Sequence, residues 1–134
     1  MFVTETKVRA RYVETDKMGV VYHGVYPTYY EIGRQEALRQ IGMSYKELED
    51  TGVVMPVITM SLKYIQPVFY DDVLTVRTIL KEMPKVRMKF FYEIFRGDEL
   101  VNTGQNSLVF LSDSTHKPIR VPEWFAEPFK KFFE

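Results

Sequence analysis

Hydrophobic and polar residues alternate from Phe2 to Tyr12, with Lys7, Arg9 and Arg11 on one side and Val8, Ala10 and Tyr12 on the other. This is the two-residue period of a strand with one wet face. The period then lapses. Glu14 to Val25 holds Thr15, Asp16, Gly19 and Gly24 around a short apolar patch, Val20-Val21-Tyr22, and such residues favour turns, so the stretch predicts an ordered loop. Pro27 suits a first helical turn, and Tyr30, Arg34, Ala37, Leu38 and Ile41 recur at three- and four-residue steps up to Gly42. The spacing predicts a helix of about four turns, roughly 24 Å long. Ser44-Tyr45-Lys46-Glu47 has the form of a capping box, in which the hydroxyl and the carboxylate each accept a free backbone N–H. Gly52 then ends a second, shorter helix.

From Val54 to Leu111 β-branched and aromatic residues alternate with polar ones, and interrupting turn signals predict four strands. The first covers Val54 to Phe69, with Ile58, Met60, Leu62 and Tyr64 on one face; the others cover Val73 to Lys81, Val86 to Arg96 and Leu100 to Leu111. Turns this short make neighbours antiparallel. Asp113 to Lys117 reads as a polar turn, and Glu123 to Phe133 as a helical stretch limited by Pro128. The order implies an α+β fold, one long helix against one curved sheet. Phe90, Tyr92 and Ile94 on one side and Phe91 and Phe95 on the other imply that both faces of the middle strands are covered, by the helix inside and a partner subunit outside.

Composition narrows the class. A chain of 134 residues that is 46% hydrophobic is expected to fold as one domain, 1–134, and is too apolar for disorder. Lys+Arg and Asp+Glu number 18 each, so no net field favours nucleic acid or an anionic membrane. The absence of cysteine removes disulfides, thiolate metal ligands and a cysteine nucleophile, and two distant histidines, His23 and His116, offer little for a metal. No apolar run approaches the roughly 20 residues of a membrane span, and the first residues lack a basic-then-apolar leader, so a cytoplasmic protein without membrane insertion is expected. Aromatics at 15% exceed what a small monomer easily hides and point to self-association.

Asp16 is the first candidate for chemistry: an acid in a glycine-bearing loop before a helix, flanked by an apolar patch that excludes water. An Asp so placed also commonly bonds a nearby backbone N–H. His23 follows seven residues later, with a backbone-bonded imidazole as its ordinary role. Around Gly24 to Pro27 no Ser, Thr, Asp or Asn stands as an obvious N-cap, so the first N–H groups of the helix need another acceptor. A ligand oxygen that turns negative would serve, and one such donor is worth roughly 3 to 4 kcal/mol in rate. Glu31, placed on the first helical turn, is a further carboxylate that the helix dipole alone also favours. Lys85, Arg87 and Lys89 alternate along one strand face, either as a solvated row or as a holder of phosphates. Ser61, Ser107 and Ser112 lack a glycine elbow, which argues against serine chemistry.

The stretch YVETDKMGVVYHGVYPTYYE, residues 12–31, resembles the signature of the hot-dog-fold acyl-CoA thioesterases of the 4-hydroxybenzoyl-CoA thioesterase type. Thr15, Asp16, Gly19, Tyr22, His23, Tyr26 and Glu31 answer its pattern, and residues 64–74, YIQPVFYDDVL, resemble the family's strand-to-turn segment. Val25 stands where many members carry Asn, and Asp71 where Gly is common. The resemblance implies a five-stranded antiparallel sheet around the long helix, homodimers formed by pairing sheets edge to edge, often homotetramers, and sites shared between subunits. It also implies hydrolysis of an acyl-CoA without metal or bound cofactor, CoA being part of the substrate. Asp16 would be the nucleophile or general base and the His23 backbone N–H the oxyanion donor. Tyr22, Gly24, Tyr26 and Glu31 would contact substrate, and Lys85, Arg87 and Lys89 the CoA phosphates. A dehydratase or hydratase on the same scaffold, and a non-catalytic acyl-CoA or acyl-carrier binding dimer, are the alternatives.

Overall fold

The computed structural model describes residues 1–134. Five antiparallel strands form the main sheet: β1 Phe2–Arg9, β3 Val57–Tyr64, β4 Val73–Leu80, β5 Arg87–Arg96 and β6 Glu99–Val109. Their spatial order is β1-β4-β5-β6-β3, so β1 and β3 are the two edges. Two short strands, β2 Val53–Val54 and β7 Leu111–Ser112, pair in a separate ribbon. Helix α1 Tyr26–Gln40 lies along the inner face, followed by α2 Tyr45–Asp50, and α3 Glu123–Ala126 stands near the carboxyl end. The expected α+β architecture is thus present. No helix is long and apolar enough to cross a membrane.

Strand alternation decides what α1 meets. Leu74, Val76, Thr78 and Leu80 of β4, Met88, Phe90, Tyr92 and Ile94 of β5, and Asn102, Asn106 and Leu108 of β6 are buried, and α1 lays Tyr29, Tyr30, Gly33, Arg34, Ala37 and Leu38 on them. Gly33 permits a close crossing, because a Cβ there would lie 2.9 Å from Val76. Tyr30 stacks on Tyr92 with ring centroids 4.3 Å apart, and its hydroxyl meets Asn102. On the outer face, Phe91 lies under Lys81 and Lys89, and Phe95 under Arg77, at 4.0, 5.2 and 4.9 Å from ring centroids. Cations of the same chain thus lie over these outer-face aromatics, which stay partly exposed.

Several boundaries move for backbone reasons. The expected Val54–Phe69 strand divides at Pro56, which has no N–H for a ladder, and β3 carries a register shift between Val57 and Thr59. Its far end stops at Tyr64, where Ile65 and Gln66 both turn their N–H groups to the Val101 carbonyl. The expected Leu100–Leu111 strand likewise yields β6 and then β7. The first strand stops at Arg9 instead of Tyr12; Ala10 donates to Asp72, and Tyr12 opens a 3-10 turn through Glu14 with its ring exposed against Tyr70. One arm of the expected capping box forms: Ser44 Oγ accepts the Glu47 N–H at 3.2 Å, while the Glu47 carboxylate accepts the Ser44 hydroxyl at 3.3 Å instead of a backbone N–H. Pro128 limits α3 to four residues before a 3-10 turn over Glu127–Phe132. There Phe129 and Phe132 close the core against Phe2.

Candidate active site

Residues 14–22 fold back as a small hairpin. Thr15 bridges Val21, the Asp16 N–H donates to Val20, and the Tyr22 N–H donates to Glu14 at 2.9 Å. Gly19, at φ 79°, closes the turn and donates to the Asp16 carbonyl. Asp16 sits half-buried at the tip of one arm, where its Oδ1 accepts the Met18 N–H at 2.8 Å. The ordinary turn role of Asp is thus filled by one carboxylate oxygen; Oδ2 accepts nothing from the chain.

The other arm runs straight into α1. A 3-10 turn over His23–Val25 precedes the helix, and no side chain caps its first turn. Val25 donates to the Tyr22 carbonyl at 3.0 Å, and the Tyr64 hydroxyl donates to the His23 carbonyl at 2.7 Å. Carbonyl and N–H of a trans peptide point in opposite directions, so these two bonds fix where the N–H groups of His23 and Gly24 aim. Neither amide is a donor in the loop and side-chain hydrogen bonds of the chain. Tyr22, half exposed, lies against the His23 ring at 4.1 Å, and a Cβ on Gly24 would strike it at 2.7 Å.

A cavity of about 320 Å³ opens here, lined by Val20, Val21, His23, Tyr26, Tyr64 and Ile65 among others. Tyr26 is buried and meets the Tyr64 ring edge-on at 5.3 Å. Burial, reinforced by neighbouring phenols, raises the pKa of both hydroxyls above the ordinary phenol value. Asp16 is not among the lining residues; it is one backbone hydrogen bond away, on the partner arm of Val20. Tyr64 was legible as one of four strand positions on a common face and as the first residue of the family-like segment 64–74, and nothing in the spacing tied it to His23.

Two other candidates lie elsewhere. Glu31 falls on the second turn of α1, not the first, because the helix begins at Tyr26. It faces a separate cavity of about 240 Å³ with Arg34, Tyr45 and Glu49, and accepts from Gln35 at 3.0 Å. Lys85, Arg87 and Lys89 do come together, in a groove of about 590 Å³ that Arg120 joins. None of these four cations is in an ion pair. Arg120 carried no sequence signal, since it arrives from the segment after β7. The groove begins at the amino end of β5, whereas the acid hairpin lies beyond its carboxyl end. The ten residues of β5 put roughly 30 Å between them at about 3.3 Å per residue.

Comparison with known proteins identifies the fold and the family. The family model of the thioesterase-like superfamily matches residues 10–129. The acyl-CoA thioester hydrolase YbgC of Escherichia coli O157:H7 is 31% identical over 125 residues, which is 92% of this chain and 93% of that protein. A DHNA-CoA thioesterase from Staphylococcus aureus superposes with TM-score 0.92 at 36% identity, over 99% of this chain and 92% of that one. A 4-hydroxybenzoyl-CoA thioesterase, at 19% identity and TM-score 0.83, shares the fold. With its five-stranded sheet around one long helix, the chain belongs to the thioesterase-like superfamily of hot-dog-fold thioester hydrolases.

Proposed function

We propose that the protein hydrolyses an acyl-CoA thioester to the free acid and CoA, with Asp16 as nucleophile or general base and the His23 backbone N–H as oxyanion donor. The observation that carries this reading is one hairpin that presents a carboxylate oxygen on one arm and runs, on the other, into oriented, unpaired amides at the start of α1. As nucleophile, Asp16 adds to the thioester carbon, the C–S bond breaks, the thiolate takes a proton from water, and a second water cleaves the anhydride. As base, Asp16 takes a proton from water while the hydroxide adds to the same carbon, the C–S bond breaks, and the proton passes from Asp16 to the departing CoA thiolate. In either route negative charge grows on the thioester oxygen, where a fixed amide stabilises it.

A shared site follows from the edge strand. β3 has one neighbour, β6, and exposes Ile58, Met60 and Tyr64. Pairing of two β3 strands antiparallel about a two-fold axis sets the partner's Val57 end beside this chain's Tyr64 end. The partner's basic groove then flanks this chain's cavity, so Lys85, Arg87, Lys89 and Arg120 of one subunit meet the CoA phosphates of a substrate bound against Asp16 of the other.

A thiol-release screen over short, long and aromatic acyl-CoAs tests the reading. Asp16→Asn is expected to lower kcat by at least about 100-fold without loss of fold, and near-wild-type turnover would reject the assignment. His23→Ala is expected to be milder, because its backbone N–H remains; an equal loss would move the imidazole into the mechanism. Tight acyl-CoA binding without thiol release would support the binding alternative, and altered acyl unsaturation the dehydratase or hydratase.

A further inference from the structure

Glu14 is a buried carboxylate that no step above uses, only 6% exposed. Four donors converge on it: Oε1 accepts the Arg11 N–H and the Tyr29 hydroxyl, each at 2.8 Å, and Oε2 accepts Arg11 Nε and Nη2 at 3.1 and 2.9 Å. Burial alone would raise its pKa, but these donors together hold it below the ordinary glutamate value. Its own carbonyl accepts the Tyr22 N–H. The Glu14 side chain thus joins the segment just after β1, through Arg11, to helix α1, through Tyr29, while its main-chain carbonyl holds the far arm of the hairpin at Tyr22.

The cost of such an arrangement suggests its use. Burying a carboxylate costs desolvation that an exposed partner such as Arg11 only partly offsets, whereas two oxygens held by four donors admit a single geometry. Asp16 lies two residues after Glu14, and the His23 amide follows the residue that bonds the Glu14 carbonyl. Backbone bonds join the two arms of the hairpin to each other, and the Glu14 side chain ties the base of that hairpin to α1 through Tyr29; displacement of catalytic groups by about 1 Å costs up to about 100-fold in rate.

We propose that Glu14 is a positioning residue that, through Tyr29 and Arg11, holds the Asp16 arm and the His23 amide in register with α1. The inference rests on the thioesterase reading above and concerns how its two halves are kept together. Tyr29→Phe removes one hydroxyl and keeps the buried ring, and Arg11→Lys keeps the charge and loses the two-nitrogen grip; the second change is at an exposed position and stands in should the first fail to fold. Either variant is expected to lower kcat about tenfold with KM for the acyl-CoA within about twofold. Combining Tyr29→Phe with Glu14→Gln is expected to cost less than the product of the two separate losses, as for residues acting through one contact. Amide exchange at Asp16 and Tyr22 is expected to quicken in Tyr29→Phe. A folded variant with wild-type kcat and unchanged exchange would overturn the proposal. A wild-type chain that releases no thiol from any acyl-CoA would instead sink the thioesterase reading, and the exchange measurement would still decide whether the clamp holds the hairpin.

Discussion

Asp71 adopts φ 71°, the left-handed region that a side chain enters at a cost. Its turn joins β1 to β4, since the Asp71 N–H donates to Ala10 and its carboxylate accepts from Arg9 at 3.1 Å. Glycine removes the strain and loses only an exposed ion pair, so Asp71→Gly is expected to stabilise the fold by about 0.5 kcal/mol in urea denaturation. Gly104 is the opposite case. A Cβ there would lie 2.6 Å from the buried Tyr30 ring, and Gly104→Ala is expected to destabilise by about 1–3 kcal/mol. Glu14 makes stability depend on pH. Its folded pKa is lowered, so its contribution is present above the unfolded value, about 4.5, and is lost as pH falls through the folded one. Thermal melts from pH 6 to pH 3 should lose less stability in Glu14→Gln than in wild type. The motif around residues 14–16 located the acid, but spacing along a chain does not report which of two neighbouring carboxylates turns inward. Glu14 takes the buried place because Arg11 and Tyr29 satisfy it, leaving Asp16 at the tip.

Helices and strands were legible where a side-chain period ran unbroken and illegible where a backbone donor was missing. The α1 pattern from Tyr30 to Leu38 reads directly as its buried face, and Gly42 ends it at φ 82° as expected. Pro56 shows the other case: the alternation continues through it, yet the chain leaves β7 on one side and joins β6 on the other. The start of α1 differs from that of α2 in a way that matters for chemistry. Ser44 caps α2, and Ser44→Ala is expected to cost about 1 kcal/mol by denaturant melts with no effect on turnover. α1 has no such cap, and its orphan amides are the ones the proposed mechanism uses. The lack of a capping residue was visible in sequence; the bond from Tyr64 that steers the His23–Gly24 peptide was not, because it comes from 41 residues away.

The sheet has two edges, and they differ. β1 and β3 each have one neighbour, but β1 buries alternate side chains whereas β3 exposes nearly every one, and an exposed apolar edge is ordinarily blunted or paired. Ile58→Lys with Met60→Lys is expected to give monomers by analytical ultracentrifugation and to abolish thiol release. The acid hairpin and the basic groove stand at opposite ends of one sheet. Under the proposed pairing of β3 edges, that separation has a consequence for mixed subunits. Mix an Asp16→Asn chain with an Arg87→Ala chain and let subunits exchange: each hybrid then collects both lesions in one crevice and neither in the other. From two defective parents, about a quarter of all crevices should emerge whole if pairing is random and two-fold. Were each chain to supply its own phosphate grip, no amount of mixing would revive the catalyst.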